Sequence, residues 1–165
     1  NYKKRFMELE WDIPASSFVP EAQYMLGESY YRQSPHFSLD QTFTKKSIEE
    51  FQAFISYFPT NPKAPEAEKK IKEMNDKLAE KEFRSGVVYE RMEYYNAAIK
   101  YYTIVIDTYH DTKYAPEALY NRMKLELDKK QMQKVQNDIG LFLSRYGDSP
   151  LAKDVKELDA GLAKK

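Results

Sequence analysis

The stretch GVVYERMEYYNAAIKYYTIVIDTYHDTKYAP, residues 86–116, decides how this chain folds. Ile99, Tyr102, Val105, Ile106 and Tyr109 follow i, i+3, i+6, i+7, i+10 spacing, one face of a 3.6-period helix. Gly86 and Ala98 are small residues of the kind needed where two helices cross closely. Tyr89 and Tyr102 are large enough to fill the space on either side of that crossing. A single helix pair cannot bury its apolar face alone, so neighbouring pairs must stack on it.

Counted in a 34-residue unit, Gly86, Tyr89, Ala98, Tyr102 and His110 occupy positions 8, 11, 20, 24 and 32, the pattern of a tetratricopeptide repeat. Worn copies of the unit's closing turn recur outward. IPASSFVPEA (13–22), FPTNPKAPEA (58–67), YHDTKYAPEA (109–118) and the fainter YGDSPLAKDV (146–155) are offset by 45, 51 and 37 residues. Unequal offsets indicate a degenerate array with insertions. Ile48, Phe51, Phe54, Ile55 and Phe58 repeat the apolar face before the second turn, as do Val135, Ile139, Phe142, Leu143 and Tyr146 before the last. After each turn a helix starts near the Pro of P-E-A, where the missing N–H costs nothing and a Glu suits the helix N-terminus.

The expected architecture is all-α: a tetratricopeptide-repeat-like, right-handed α-solenoid of antiparallel helix pairs with one elongated helix. Helices are expected near 3–11, 19–33, 44–58, 65–91, 94–109, 115–129, 132–146 and 151–163, in one domain over 1–165 of about three and a half repeats. The packing positions assigned are Gly27, Tyr30, Gly86, Tyr89, Ala98 and Tyr102. An insertion over 34–44 lengthens one intra-repeat turn by about eight residues relative to the template. Thr42 or Thr44 is expected to cap the helix after it. Residues 65–91 contain no breaker and carry Glu66/Lys70, Glu68/Lys72, Glu73/Lys77 and Glu80/Arg84 at i,i+4 spacing. They are expected to form one helix whose first half overhangs its neighbours with an exposed Lys/Glu side. The chain opens in mid-pattern at Asn1, which reads as a fragment lacking N-terminal repeats.

Composition narrows the function classes. With 26 basic and 26 acidic residues, formal charge is zero and no basic stripe points to nucleic acid. Cysteine is absent, so cysteine-ligated metal and disulfides are excluded. The two histidines, His36 and His110, have no partner at metal-ligand spacing, and His110 stands at a turn position. No nucleophile elbow, paired-acid arrangement or Gly-rich phosphate loop occurs, so neither an enzyme nor a cofactor is expected. The tyrosine pairs 30–31, 94–95 and 101–102 read as core on one side and groove wall on the other. A binding scaffold is the reading that remains.

The order of features resembles the BamD (ComL) family of lipoproteins of the bacterial outer-membrane β-barrel assembly machinery. The resemblance rests on YMLGESYYRQ (24–33), an insertion ending in Asp40-Gln41-Thr42, IEEFQAFISYFP (48–59), then Leu78, Ala79, Glu82, Gly86 and Tyr89 followed by YNAAI (95–99), and EALYNRMKLEL (117–127). It implies a non-catalytic scaffold at the periplasmic face of the outer membrane. It implies attachment to the membrane only through an N-terminal lipid that this chain lacks. The implied partners are a BamA-like barrel subunit bound through its POTRA domains, other lipoproteins of the machinery, and unfolded outer-membrane proteins. Substrate reception falls largely to the N-terminal repeats, and the hold on the barrel subunit to the C-terminal ones. Arg122, Lys124, Lys129 and Lys130 are the candidate partner-binding residues, with Arg122 and Lys129 placed seven apart on one face. The competing readings are a generic periplasmic repeat protein binding peptides or an envelope-maintenance partner, and a regulatory domain cut from a larger enzyme.

If Ala98 lies where the helices cross, Ala98→Leu overpacks that crossing. The expected loss is ~1–3 kcal/mol, read from urea unfolding of the two forms.

Overall fold

The computed structural model describes residues 18–164. The expected helix over 3–11 and the start of the 13–22 turn lie outside the described residues. Seven helices are present among the described residues: α1 (Phe18–Gln33), α2 (Thr42–Tyr57), α3 (Ala64–Arg91), α4 (Tyr95–Thr108), α5 (Ala115–Asp128), α6 (Met132–Arg145) and α7 (Ala152–Leu162). They divide into two compact units, one ending at Met74 and one from Asn75 onward. The long helix α3 is unbroken, as its sequence predicts, and contributes to each.

In the first unit α1 packs on α2. Gly27 makes their close approach possible: a Cβ there would sit 2.8 Å from Phe51 Cδ1. The Ser47 hydroxyl donates to the Gly27 carbonyl at 2.8 Å, closing the same crossing with a buried hydrogen bond. Tyr24 meets Phe51 and Phe54 edge-on, each at 5.4 Å between centroids. Tyr30 stacks on Phe43 at 6.0 Å. The insertion ends without the expected threonine cap. Gln41 occupies the cap position and makes no side-chain capping bond. Instead the Thr42 N–H donates to Asp40 Oδ1 at 3.0 Å, and the Thr44 hydroxyl donates to Gln41 Oε1 at 2.8 Å. Thr44 is fully buried, so its hydroxyl serves the loop rather than the helix end.

The first half of α3 exposes Glu66, Glu68, Lys69, Lys72 and Glu73, as expected, but its other side is packed rather than overhanging. Ala64, Ala67 and Met74 are buried. Lys70, expected on a solvated face, is half-buried among aromatic rings. Its ammonium lies 4.9 Å from the Tyr31 ring centre and 5.5 Å from that of Tyr24, and it pairs with Glu28. Burial pulls this ammonium's pKa down, but the bonds to Glu28 and Tyr24 outweigh burial and hold it above its ordinary value. Burial likewise pushes the Glu28 carboxyl up, and the bonds from Lys70 and Arg32 reverse that. The i,i+4 pair Glu66–Lys70 is present at 3.5 Å, secondary to the contact across to α1. Glu73 accepts the Tyr31 hydroxyl at 2.9 Å.

In the second unit the same joint recurs with different residues. A Cβ on Gly86 would lie 2.7 Å from Tyr102 Cε1. The Tyr102 ring is fully buried, and its hydroxyl donates to Glu90 Oε2 at 2.5 Å. Burial, then this bond to a carboxylate, pushes the Tyr102 hydroxyl well above its usual range. Ala98 is fully buried and Tyr89 stacks on Tyr101 at 5.2 Å. Around this joint Ala79, Phe83, Val105, Ile106, Leu119, Met123, Val135, Phe142 and Val155 form a continuous core.

The turns show why a degenerate sequence still folds as a repeat. Phe58, Asn61, Ala64 and Ala67 donate backbone N–H groups to Phe54, Phe58, Asn61 and Lys63. Tyr109, Thr112, Ala115 and Ala118 do the same to Val105, Tyr109, Thr112 and Tyr114, as do Tyr146, Ser149, Ala152 and Val155 to Phe142, Tyr146, Ser149 and Leu151. The turns between helix partners are also alike. Glu93 (φ 62°) and Lys130 (φ 57°) adopt the left-handed conformation, and Tyr94 and Gln131 bond back to the carbonyls of Tyr89 and Glu126. This is the Schellman closure of a helix, here made with residues other than glycine.

Two glycines within helices are expected to respond oppositely to alanine. Gly86→Ala forces a methyl into the immobile Tyr102 ring and should cost ~1–3 kcal/mol. Gly140 in α6 has nothing within 4 Å of an added Cβ, so Gly140→Ala should gain ~0.5–1 kcal/mol through helix propensity. Urea unfolding midpoints of the two variants check both signs.

Candidate partner-binding surfaces

The four basic residues assigned from sequence are carried by α5 and the turn after it, and the structure separates them. Leu119 and Met123 are fully buried, and Leu125 and Glu126 join them, so α5 turns a broad side inward. Arg122 belongs to that inward side. Its Nε and Nη2 donate to Asp138 Oδ2 and Oδ1 of α6 at 2.8 and 2.7 Å, and its Nη1 donates to Thr103 Oγ1 of α4 at 3.1 Å. The Arg122 side chain is 12% exposed and that of Asp138 9%. The expected common face of Arg122 and Lys129 therefore does not form. The cause is Asp138, a carboxylate set between the buried residues Val135 and Ile139, which draws the guanidinium inward. A lone acid within that stripe is the sequence signal that an internal cation must face it.

Lys124 remains outside, its ammonium 5.0 Å over the Tyr120 ring. Both line a cavity of about 690 Å³ together with Lys113, Glu117, Arg145 and Asp148. The groove's lining thus combines the rings of Tyr120 and Tyr146 with cations and carboxylates. At its border the Tyr146 hydroxyl donates to the His110 carbonyl at 2.7 Å, which fixes one turn against the next. Burial raises the Tyr146 hydroxyl's pKa, and Arg145 partly opposes it. Tyr114 is pushed up to about 12 by burial and then by its bond to Glu80.

Lys129 and Lys130 lie at the other end of α5. Lys130 is the exposed left-handed residue of the turn, and Lys129 reaches across to bond Asn96 Oδ1. Lys129 shares a second, shallower cavity of about 420 Å³ with residues 93–97. Tyr94 is 59% and Tyr95 42% exposed there, beside Met92 at 55%. In the sequence these tyrosines stand only as a pair, and no local spacing connects them to Lys129, because the bridging contact spans 33 residues.

The histidines serve loop structure. His36 Nδ1 and the Ser38 hydroxyl are 2.9 Å apart, and His110 is an exposed turn residue. Among the described residues no group of His, Asp and Glu is set to hold a metal ion, and no helix is long and apolar enough to cross a membrane.

The sequence matches a known protein family. The model of the outer membrane lipoprotein family YfiO aligns with residues 3–127. The chain belongs to this family. Among curated proteins, the outer membrane protein assembly factor BamD of Rickettsia prowazekii (strain Madrid E) is 36% identical over 107 residues, covering 65% of this chain and 43% of that protein. The protein of the same name from Caulobacter vibrioides is 28% identical over 123 residues, covering 74% of this chain and 39% of the relative. The chain thus spans about two fifths of the length of the curated relatives it matches. The helical repeat fold fits the tetratricopeptide pattern read from residues 86–116. The family match ends at residue 127, so Lys124 falls within it and Lys129 and Lys130 fall just beyond.

Arg122→Met should destabilise the chain by ~3–5 kcal/mol, because it leaves the Asp138 carboxylate buried without its cation. Lys124→Met should change stability by less than ~0.5 kcal/mol. Chemical denaturation of both variants measures the contrast.

Proposed function

We propose that this chain is part of a non-catalytic scaffold subunit of the outer-membrane protein assembly machinery, acting at the periplasmic face of the outer membrane. In this reading it binds a BamA-like barrel subunit through that subunit's POTRA domains. It also meets other lipoproteins of the machinery and helps barrel proteins insert. Attachment to the membrane comes from a lipidated N-terminal segment outside this sequence. The observation that carries the reading is family membership, supported by two relatives that are both named outer membrane protein assembly factors.

The surface favoured for the barrel subunit is the α3–α4 turn end with Tyr94, Tyr95 and Lys129, joined by Lys130. Exposed tyrosines beside flexible lysines have the composition of an interface core with a charged rim. Because formal net charge is zero, local contact rather than long-range attraction must dominate binding. Arg122 supports this surface indirectly by holding α5 to α6. The groove beside Tyr120 and Lys124 favours a second reading, a periplasmic receptor for extended peptides.

Co-purification and association kinetics with a POTRA-bearing barrel subunit separate the two. Tyr94→Ala with Tyr95→Ala should weaken binding by more than ~2 kcal/mol, as expected for central aromatic anchors. Lys129→Glu with Lys130→Glu should mainly slow association, and more so at low salt. Unchanged binding in both double variants, with loss on Lys124→Glu, would favour the groove.

A further inference from the structure

The interface between α5 and α6 holds two acids and one arginine. Arg122 spends Nε and Nη2 on Asp138 and Nη1 on Thr103, so its hydrogen bonds go past Glu126. Glu126 is 5% exposed, and its Oε2 is buried without a donor among the surrounding protein groups. Its backbone carbonyl accepts the Gln131 N–H that closes the turn into α6, so its main chain is held in place. Glu126 stands one helical turn from Arg122 on the side of α5 that meets α6, where Arg122 holds Asp138, itself 6% exposed.

We propose that Glu126 holds a proton where it faces Asp138 across the α5–α6 interface, and that losing it loosens this helix pair, so the tightness of residues 115–145 follows the surrounding pH. Two adjacent buried carboxylates with one bidentate cation cannot both ionise cheaply. Asp138 has the cation, so the proton belongs on Glu126, where it turns an acceptor facing another acceptor into a donor. The ionisable groups that act on Glu126 are Asp138 and Lys134 from α6 and Arg122 from α5 itself. α4 contributes the Thr103 hydroxyl, which Arg122 reaches. Burial is the largest influence on Glu126, followed by the Asp138 charge. Arg122 and Lys134 oppose them, and the balance raises its pKa to about 7.

The sign follows from linkage. A carboxyl raised above its unfolded value binds its proton more tightly when folded. The stability this contributes is full below the ordinary glutamate range and is lost as pH rises through about 7. The same helix pair carries Tyr120 and Lys124 at the groove, and Lys129 and Lys130 lie in its connecting turn, so proton loss acts on the support of both surfaces. The inference stands independently of which partner binds there.

Two measurements on the whole chain test it. Carbon-13 NMR of the glutamate carboxyls should show one group titrating near neutrality and missing in Glu126→Gln. Hydrogen exchange over 115–145, corrected for intrinsic base catalysis, should lose about tenfold in protection between pH 6 and pH 8, and stay nearly flat in Glu126→Gln. A chain whose glutamates all titrate in the ordinary acidic range overturns the proposal. So does an equal loss of protection in Glu126→Gln. If that variant does not fold, the carboxyl titration of the unmodified chain decides alone.

Discussion

A buried aromatic ring can lie directly on the backbone of a neighbouring helix only where that helix carries no side chain, and this chain depends on that constraint twice. Phe51 lies against Gly27 in the first unit and Tyr102 against Gly86 in the second. Each ring is fully buried and anchors an apolar cluster around it. The glycine gives up helix propensity, and the ring gains contact area that outweighs the loss. The two joints differ in sequence spacing, 24 residues against 16, and the longer loop after α1 takes up most of the difference. The packing unit is therefore conserved in space while the connecting chain varies in length.

This division explains what the sequence made legible. Helix positions, the turns and the unbroken α3 follow from local periodicity and punctuation, which act over a few residues. Of the two glycine–aromatic joints, Gly86 and Tyr102 sit at characteristic positions of one unit, whereas the spacing between Gly27 and Phe51 is stretched by the insertion and does not point to their contact. What escaped were polar contacts between elements. Lys70 looked like half of a surface i,i+4 pair with Glu66, yet its better partner, Glu28, is 42 residues away. Arg122 looked like an outward cation, yet Asp138 of the next helix claims it. Charged residues show no periodicity that reveals whether their partner is water or a distant side chain. The decisive clue is an odd charge within an apolar stripe, as Asp138 is. The threonine cap failed for a related reason: the loop before α2 supplies its own bonds through Asp40 and Gln41, so the hydroxyl of Thr44 is drawn inward.

The polar contacts that sequence missed also set the character of the interior. At Lys70, one ammonium among rings has a carboxylate partner, and the charges are mutually satisfied. At Arg122, all three guanidinium nitrogens are engaged by Asp138 and Thr103 while Oε2 of a second acid, Glu126, is left without a donor. The first arrangement has little reason to respond to its surroundings. The second holds an unresolved electrostatic conflict at the base of the helix pair that presents the exposed lysines.

The recurring turn after each second helix depends on backbone donors and acceptors, with a short side chain assisting. Asn61 and Ser149 accept an N–H two residues on, and Thr112 donates back to Tyr109. Nothing in this bonding scheme specifies the residue just after the aromatic one, and the chain places Pro59 and His110 there in the first two turns. In the third the position is Gly147, where a Cβ would lie 2.9 Å from the Leu143 carbonyl oxygen. Where no such contact exists, the position is nearly neutral ground: its chemistry can drift while the scaffold stays intact. A lineage can thereby retune what its turns display without rebuilding the helices beneath.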